Sequence, residues 1–186
     1  MIKKVDPISY TQELASIIFL TLTVAPFEKT DPQALADLIH DLSVLGLEIA
    51  QKEALPVPAE AYDSGRDQYV ADVLLTAVQQ LPDQHVIGVT DLDLYSDELN
   101  FVFGLAQLPG KAAVISLHRL RYGADRGTFR KRAVTEVVHE LGHTLGLRHC
   151  PDVCCVMHFS NSLADTDRKG VKYCERCQEK LRKVSS

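Results

Sequence analysis

The chain reads as an α/β (α+β) protein: a mixed, mostly parallel twisted sheet with an edge hairpin strand and helices packed on it. Three observations predict this. Short apolar runs alternate with stretches of helical periodicity, two strand-like runs flank a Pro109-Gly110 turn, and one long amphipathic helix follows them. A helical crossover returns the chain to pair in parallel, whereas a tight turn forces antiparallel pairing, so the order of elements predicts which pairing occurs where.

Residues 17–25 are rich in β-branched side chains and end before Pro26, which predicts a buried first strand. A helix follows, capped by Asp31 with Pro32 in its first turn; Leu35, Leu38, Leu42 and Leu45 form its apolar stripe and Gly46 stops it. Residues 47–55 are expected to give a second strand before the turn at Pro56 and Pro58. Tyr69, Val73, Leu74 and Val78 recur at helical spacing and predict a second helix between Asp67 and Leu81. The apolar run Val86-Ile87-Gly88-Val89 suits a central strand. The acidic stretch of Asp91, Asp93, Asp97 and Glu98 lacks the spacing and glycine of an EF-hand loop, and a solvated turn is the expectation. Residues 100–106 and 112–117 form the predicted hairpin, with the first of them at the sheet edge. Residues 127–146 then make the long helix. Its inward stripe is Val134, Val138, Leu141 and Leu145, within about 60° of one another at 100° per residue.

With 186 residues, nearly half of them hydrophobic, the chain can bury a substantial core. No linker or repeat interrupts residues 1–149, which are expected to form one unit; residues 150–186 are expected to form a small irregular lobe with a helix near 175–183. The net charge of −5 argues against a broad nucleic-acid surface, which needs excess Lys and Arg. Arg121, Arg126, Arg130, Lys131 and Arg132 do cluster, and are expected to form a solvated face. The apolar run at 17–25 has lysines upstream, but Asp6 and Glu13 intervene and threonines interrupt it, so a cleaved signal is not expected. No stretch approaches the ~20 apolar residues that span a bilayer, and a cytoplasmic protein without membrane partners is the expectation. All five cysteines fall between positions 150 and 177, a crowding that with Cys174-Glu175-Arg176-Cys177 suggests thiolates gathered around a metal, not a disulfide scaffold.

The stretch that carries chemistry is His139-Glu140-Leu141-Gly142-His143-Thr144-Leu145-Gly146-Leu147-Arg148-His149. On a helix His139 and His143 lie about 40° apart around the axis and ~6 Å along it, so both imidazoles can reach one metal. His149 would be ~9 Å farther on if the helix continued, too far for zinc–nitrogen bonds of ~2.0–2.1 Å. Gly146 can take the left-handed conformation that ends a helix and folds the chain back. The spacing therefore predicts a bent arm that presents His149 as a third ligand. Glu140 flanks the metal without pointing at it, which suits a base better than a fourth ligand. His40, His85 and His118 have no partner at ligand spacing and are expected to be non-ligands.

This His-Glu-x-x-His-x-x-Gly-x-x-His pattern is the metzincin signature. Its continuation through Cys150, Cys155-Val156-Met157 and, after sixteen intervening residues, Cys174-Glu175-Arg176-Cys177 resembles the archaemetzincins. The resemblance implies a metzincin-like fold and a zinc metallopeptidase with two zinc ions, one catalytic and one structural. The catalytic ion would be held by His139, His143 and His149, leaving its fourth position to water whose pKa the metal lowers to about 7. It assigns Glu140 the role of taking that water's proton and returning one to the leaving amine. It places Cys150, Cys155, Cys174 and Cys177 around the structural ion and Met157 in the turn beneath the catalytic one. The family spacing favours Cys155 over Cys154, which is left unassigned, and His158 is expected to be an ordinary histidine. Some metzincins carry an oxyanion-stabilising Tyr two residues after that Met, where this chain has Phe159; the second stabiliser stays open, with Tyr173 one candidate. Peptides or partly unfolded polypeptides are the expected substrates, lying along the sheet edge as an added strand, and a monomer is expected. Two readings compete with this one: a non-enzymatic zinc-binding or interaction module whose three-His site is occluded, and a nucleic-acid-binding module built on the cysteine lobe.

Overall fold

The computed structural model describes residues 20–96 and 99–184. Its elements run β1 (Thr21–Pro26), α1 (Pro32–Val44), β2 (Glu48–Gln51), β3 (Tyr62–Asp63), β4 (Gln68–Val70), α2 (Ala71–Gln79), β5 (Val86–Thr90), β6 (Leu94–Tyr95), β7 (Gly104–Ala106), β8 (Ala112–Ser116), α3 (Arg126–Thr144), α4 (Leu163–Arg168) and α5 (Glu175–Val184). The main sheet has the order β2-β1-β5-β8-β7. Every pair in it is parallel except β7 against β8, where Gly104 faces Ile115 and Ala106 faces Ala113. The mixed, mostly parallel sheet with an antiparallel edge strand is the architecture that the element order predicts.

Period-2 alternation divides the central strands between two cores. Ile87, Val89, Ala113 and Ile115 face one side with Leu35, Leu38 and Leu42 of α1 and Val134, Val138 and Leu141 of α3. Val86, Ala112 and Val114 face the other side with Leu74 and Val78 of α2. Each fully buried Val, Leu or Ile of this kind contributes about 1.5–3 kcal/mol through the water it sheds.

Helix α1 begins and ends as its sequence dictates. The Asp31 carboxylate accepts from the Gln33 and Ala34 amides, and Gly46 takes a φ of 88° past the last turn. Other boundaries move. The first strand starts at Thr21, and residues 17–19 of the expected strand lie outside the described residues. The second strand is confined to Glu48–Gln51, while Leu55 meets Phe27 in an isolated bridge. Helix α2 starts at Ala71 because Tyr69 is drawn into β4, where it pairs with Tyr62 and Leu94. The small β3-β4-β6 sheet and α4 have no periodic signal in the sequence, since two- to six-residue elements complete no pattern.

The basic cluster is only in part the solvated face expected of it: Arg126 is exposed, but Arg132 is buried and the arginines are paired. Arg126 pairs with Asp37, Arg130 with Asp41 and Arg132 with Asp167, fastening α3 to α1 and to α4, while Arg121, ahead of α3, pairs with Asp91 in the loop after β5. The acidic stretch changes character for the same reason: Asp91 is taken by Arg121, and Asp93 by both nitrogens of a bidentate Arg119 at 2.6 and 2.7 Å. Asp97 and Glu98 lie outside the described residues.

Candidate metal centres and catalytic cleft

Helix α3 is enclosed from residue 132 to 144, not on one stripe alone. The sheet covers the face bearing Val134, Val138 and Leu141, and the C-terminal lobe covers the opposite side. The helix then stops in a Schellman arrangement. Gly146 has a φ of 90°, its amide donates to His143 O at 2.9 Å, and the Leu147 amide donates to Gly142 O at 2.9 Å. This reversal also aims an imidazole, because Leu147 O accepts from His143 Nδ1 at 2.7 Å. Val156 O does the same for His139 Nδ1, at 2.7 Å. With both Nδ1 atoms donating, the lone pairs of the two Nε2 atoms point to a common centre.

His149 joins them on the open side. His143 Nε2 lies 3.1 Å from His139 Nε2 and 3.2 Å from His149 Nε2. Three nitrogens bound tetrahedrally at ~2.05 Å would sit about 3.3 Å apart, so the donors fit zinc in kind and in spacing. Burial pushes the His139 imidazole well below its usual range, with the Lys169 ammonium adding to the effect, and burial lowers His143 as well. Burial first, then the neighbouring His143, brings His149 from 6.5 down to about 4. All three are therefore neutral near pH 7, as ligands must be.

These depressed values carry a prediction for the metal-free protein. A histidine with a lower pKa folded than unfolded binds fewer protons in the folded state, so its contribution is intact above about pH 6.5 and lost as pH falls toward 4. Melting temperature after chelation should fall steadily over that window. A flat profile there would show that the trio is not held in neutral form.

The second cluster is built from the arm beyond His149 and the start of α5. Cys150, Cys155, Cys174 and Cys177 bring their sulfurs together, and Cys150–Cys174 and Cys155–Cys177 are each 3.8 Å apart. All four thiols are free, and four sulfurs bound tetrahedrally at ~2.3 Å would be about 3.8 Å apart. The Cys174 amide donates to Cys155 Sγ at 3.3 Å and Arg176 donates to Cys150 Sγ at 3.2 Å. Burial raises the Cys150 thiol, but the Asp152 backbone N–H and the Arg176 guanidinium outweigh it and bring it to about 7. Cys154 is exposed and stands outside the cluster. His158 does too, its Nδ1 lying 3.0 Å from Cys150 O. Among the described residues, His40, His85 and His118 belong to neither group.

Met157 is fully buried beneath α3, where Gly142 makes room: a Cβ there would lie 2.4 Å from the Met157 sulfur. Tyr173 also packs against this part of α3, but its hydroxyl donates to Val138 O at 2.7 Å and it is 2% exposed. That corrects its candidacy as oxyanion stabiliser, since it is committed to the back of the helix and does not line the cleft.

The cleft itself has a volume of about 430 Å³ and lies between β7 and the imidazole trio. Leu99, Leu108 and Phe159 are exposed at its walls, and Phe159 packs on the His149 ring at 4.7 Å. Glu140 lines it too, 5% exposed, its carboxyl pushed well up by burial and further by Glu136 one turn away. Sequence reading missed two residues at the cleft floor. Lys169 is completely buried, its Nζ 3.1 Å from Glu136 Oε1 and 3.4 Å from His139 Nδ1. The spacing of Glu136 four before Glu140 was a usable signal; for Lys169, thirty residues beyond His139, there was none.

A neutral three-imidazole cluster at a helix end, flanked by a buried carboxylate and opening beneath an antiparallel edge strand, defines a metallopeptidase of the metzincin type. The family follows from sequence comparison. Residues 19–183 match the profile of peptidase family M54, and the chain belongs to that family, the archaemetzincins. It is 44% identical over 146 residues to the archaemetzincin of Methanopyrus kandleri, covering 77% of this chain and 83% of the other. It is 48% identical over 139 residues to that of Pyrococcus furiosus, covering 69% and 72%. The crystal structure of the Methanopyrus kandleri protein is similar with a TM-score of 0.81 at 38% identity, covering 89% of this chain and 95% of that one. The Archaeoglobus fulgidus archaemetzincin, solved with malonate, gives 0.79 at 38% identity, covering 87% and 99%. The chain is thus a zinc metallopeptidase by family, and its substrates are peptides.

Proposed function

We propose that the chain hydrolyses peptide bonds at the cleft beneath β7, with Glu140 as general base and His139, His143 and His149 as ligands of the catalytic zinc. The observation that carries this reading is the convergence of three neutral imidazoles on one point of an open cleft, with the carboxylate of Glu140 in the same cleft. Zinc held there would supply Lewis acidity toward a carbonyl and a water of lowered pKa. The protein's own part is positional and acid–base. The free edge of β7 offers main-chain donors and acceptors to an extended peptide, and Glu140 takes a proton from the attacking water and returns one to the departing amine. The open cleft favours this over a non-enzymatic module with an occluded site.

A second zinc, structural, at Cys150, Cys155, Cys174 and Cys177 belongs to the same proposal, as does a division into a unit of residues 1–149 and a stapled lobe of 150–186. The 3.8 Å sulfur spacing supports that ion. We take the protein to act as a monomer in the cytoplasm on peptides or partly unfolded polypeptides, without nucleic-acid or membrane partners. The net charge of −5 and the pairing of the basic cluster support the absence of nucleic acid. Among the described residues no helix is long and apolar enough to cross a membrane.

Metal removal tests the reading. Two zinc ions per chain are expected by elemental analysis, and a peptide library should be cleaved before chelation, left intact after it, and cleaved again once zinc is restored. Cleavage that survives complete removal of metal would refute it.

A further inference from the structure

The edge strand that borders the cleft carries a glycine whose missing side chain is filled by the catalytic carboxylate. A Cβ built on Gly104 would lie 2.5 Å from Oε1, 2.7 Å from Cγ and 2.8 Å from Cδ of Glu140. Ordinary contact at such an atom begins near 3.4 Å. Backbone conformation does not explain this glycine, since Gly104 is not among the residues with positive φ. It is paired in register with Ile115 in a strand, where glycine weakens pairing and marks a close approach. Its successors Leu105 and Ala106 carry side chains in the same strand, so the gap is local to one position.

The partner is confined from its own side as well. Glu140 projects from an α3 that is buried from residue 132 to 144, so the helix cannot back away to make room. A methyl group at position 104 would have to displace the carboxylate by about the 0.9 Å that separates 2.5 from 3.4 Å.

From this fit we infer that Gly104 is a positioning residue for the reaction: its bare backbone is the wall against which the Glu140 carboxylate rests, and it sets where that carboxylate stands relative to a peptide laid along β7. One strand thereby fixes both reaction partners, the substrate by its free edge and the base by its empty side-chain position. This inference rests on the reading of Glu140 as general base.

The test is a cycle of Gly104→Ala with Glu140→Asp, beside Glu140→Gln, in the zinc-loaded protein. A misplacement of about 1 Å in a catalytic group can cost ~100-fold, so Gly104→Ala should lower kcat by about that factor. KM, zinc content and melting temperature should stay near parental values, which separates a displaced base from a damaged strand or a lost metal. In the Glu140→Asp background, whose carboxylate is one methylene shorter, the same alanine should cost less than about tenfold. A crystal structure of Gly104→Ala should show the carboxylate shifted. Parental kcat in Gly104→Ala, a loss lying wholly in KM, an equal loss in the aspartate background or an unmoved carboxylate would each overturn the inference while Glu140→Gln stays inactive and the base assignment stands. An active Glu140→Gln variant would remove the base assignment itself, and the role of Gly104 with it.

Discussion

Glu140→Gln should leave a protein that keeps its metals, yet has lost peptide hydrolysis by about 100- to 10,000-fold, the span a positioned general base contributes. The substitution preserves shape and removes only the capacity to accept a proton. Its effect on the stability of the metal-free protein has a definite sign: there the variant should melt no lower than the parent. Burial and the neighbouring Glu136 push the Glu140 carboxyl well up, so the folded state pays for its ionised form, and a neutral amide relieves that cost. The folded protein holds this proton more tightly than the unfolded chain does. The carboxyl's contribution is therefore present below its usual value of 4.5 and lost as pH rises through its raised folded value, and the amide variant should be free of that loss. Steady-state kinetics, zinc analysis and thermal melts separate the outcomes. Hydrolysis at the parental rate would move the base elsewhere; lost zinc would show that the residue is structural to the metal site.

Lys169→Met should have the largest effect on stability. Lys169 is 0% exposed and, among the described residues, its only carboxylate within ion-pair distance is that of Glu136, itself 3% exposed at the side chain. Removing one partner strands the other charge in the interior, at a cost of ~3–5 kcal/mol. For a chain of this size each kcal/mol lowers the melting temperature by ~2–4 °C, so a fall of about 10 °C is expected. Replacing both members, Lys169→Met with Glu136→Met, should recover most of it, because an apolar pair of similar volume can be as stable as a buried ion pair. A single variant that melts with the parent would mean that the Lys169–Glu136 pair contributes nothing to stability. A double variant as unstable as the single one would mean that Lys169 matters through packing or through its contact with His158 O at 3.4 Å.

The parts of this molecule that sequence made legible are those with a long period or a fixed spacing. Leu35, Leu38 and Leu42 mark α1 because several turns repeat the pattern, and Asp31 and Gly46 close it from either end by local chemistry. The same holds for the turn at Gly146, whose glycine and ligand spacing admit few alternatives. Tyr69 misled because its own neighbours suit a helix while its partners, Tyr62 and Leu94, are remote in sequence. The basic cluster misled likewise: nothing near Arg126 or Arg130 announces Asp37 and Asp41, 89 residues earlier. At the cleft, the histidines and Glu140 could be found from spacing alone, whereas Lys169 and Gly104 acquire meaning only once the lobe and the edge strand are folded against α3.

His149 and Cys150 are neighbours in the chain, and each belongs to a different cluster. The arm that carries the third imidazole thus ends among sulfurs drawn from as far as Cys177, with the Cys150 amide bound to Met157 O at 2.9 Å along the way. During synthesis from the N-terminus, His143 can be aimed by Leu147 as soon as the helix ends, whereas His139 still waits for Val156 and His149 for the thiols beyond it. An arm whose third imidazole is followed directly by a thiol packed among sulfurs up to Cys177 takes its final place only after residue 177 has been made, so a fragment ending before Cys174 is expected to lack that brace.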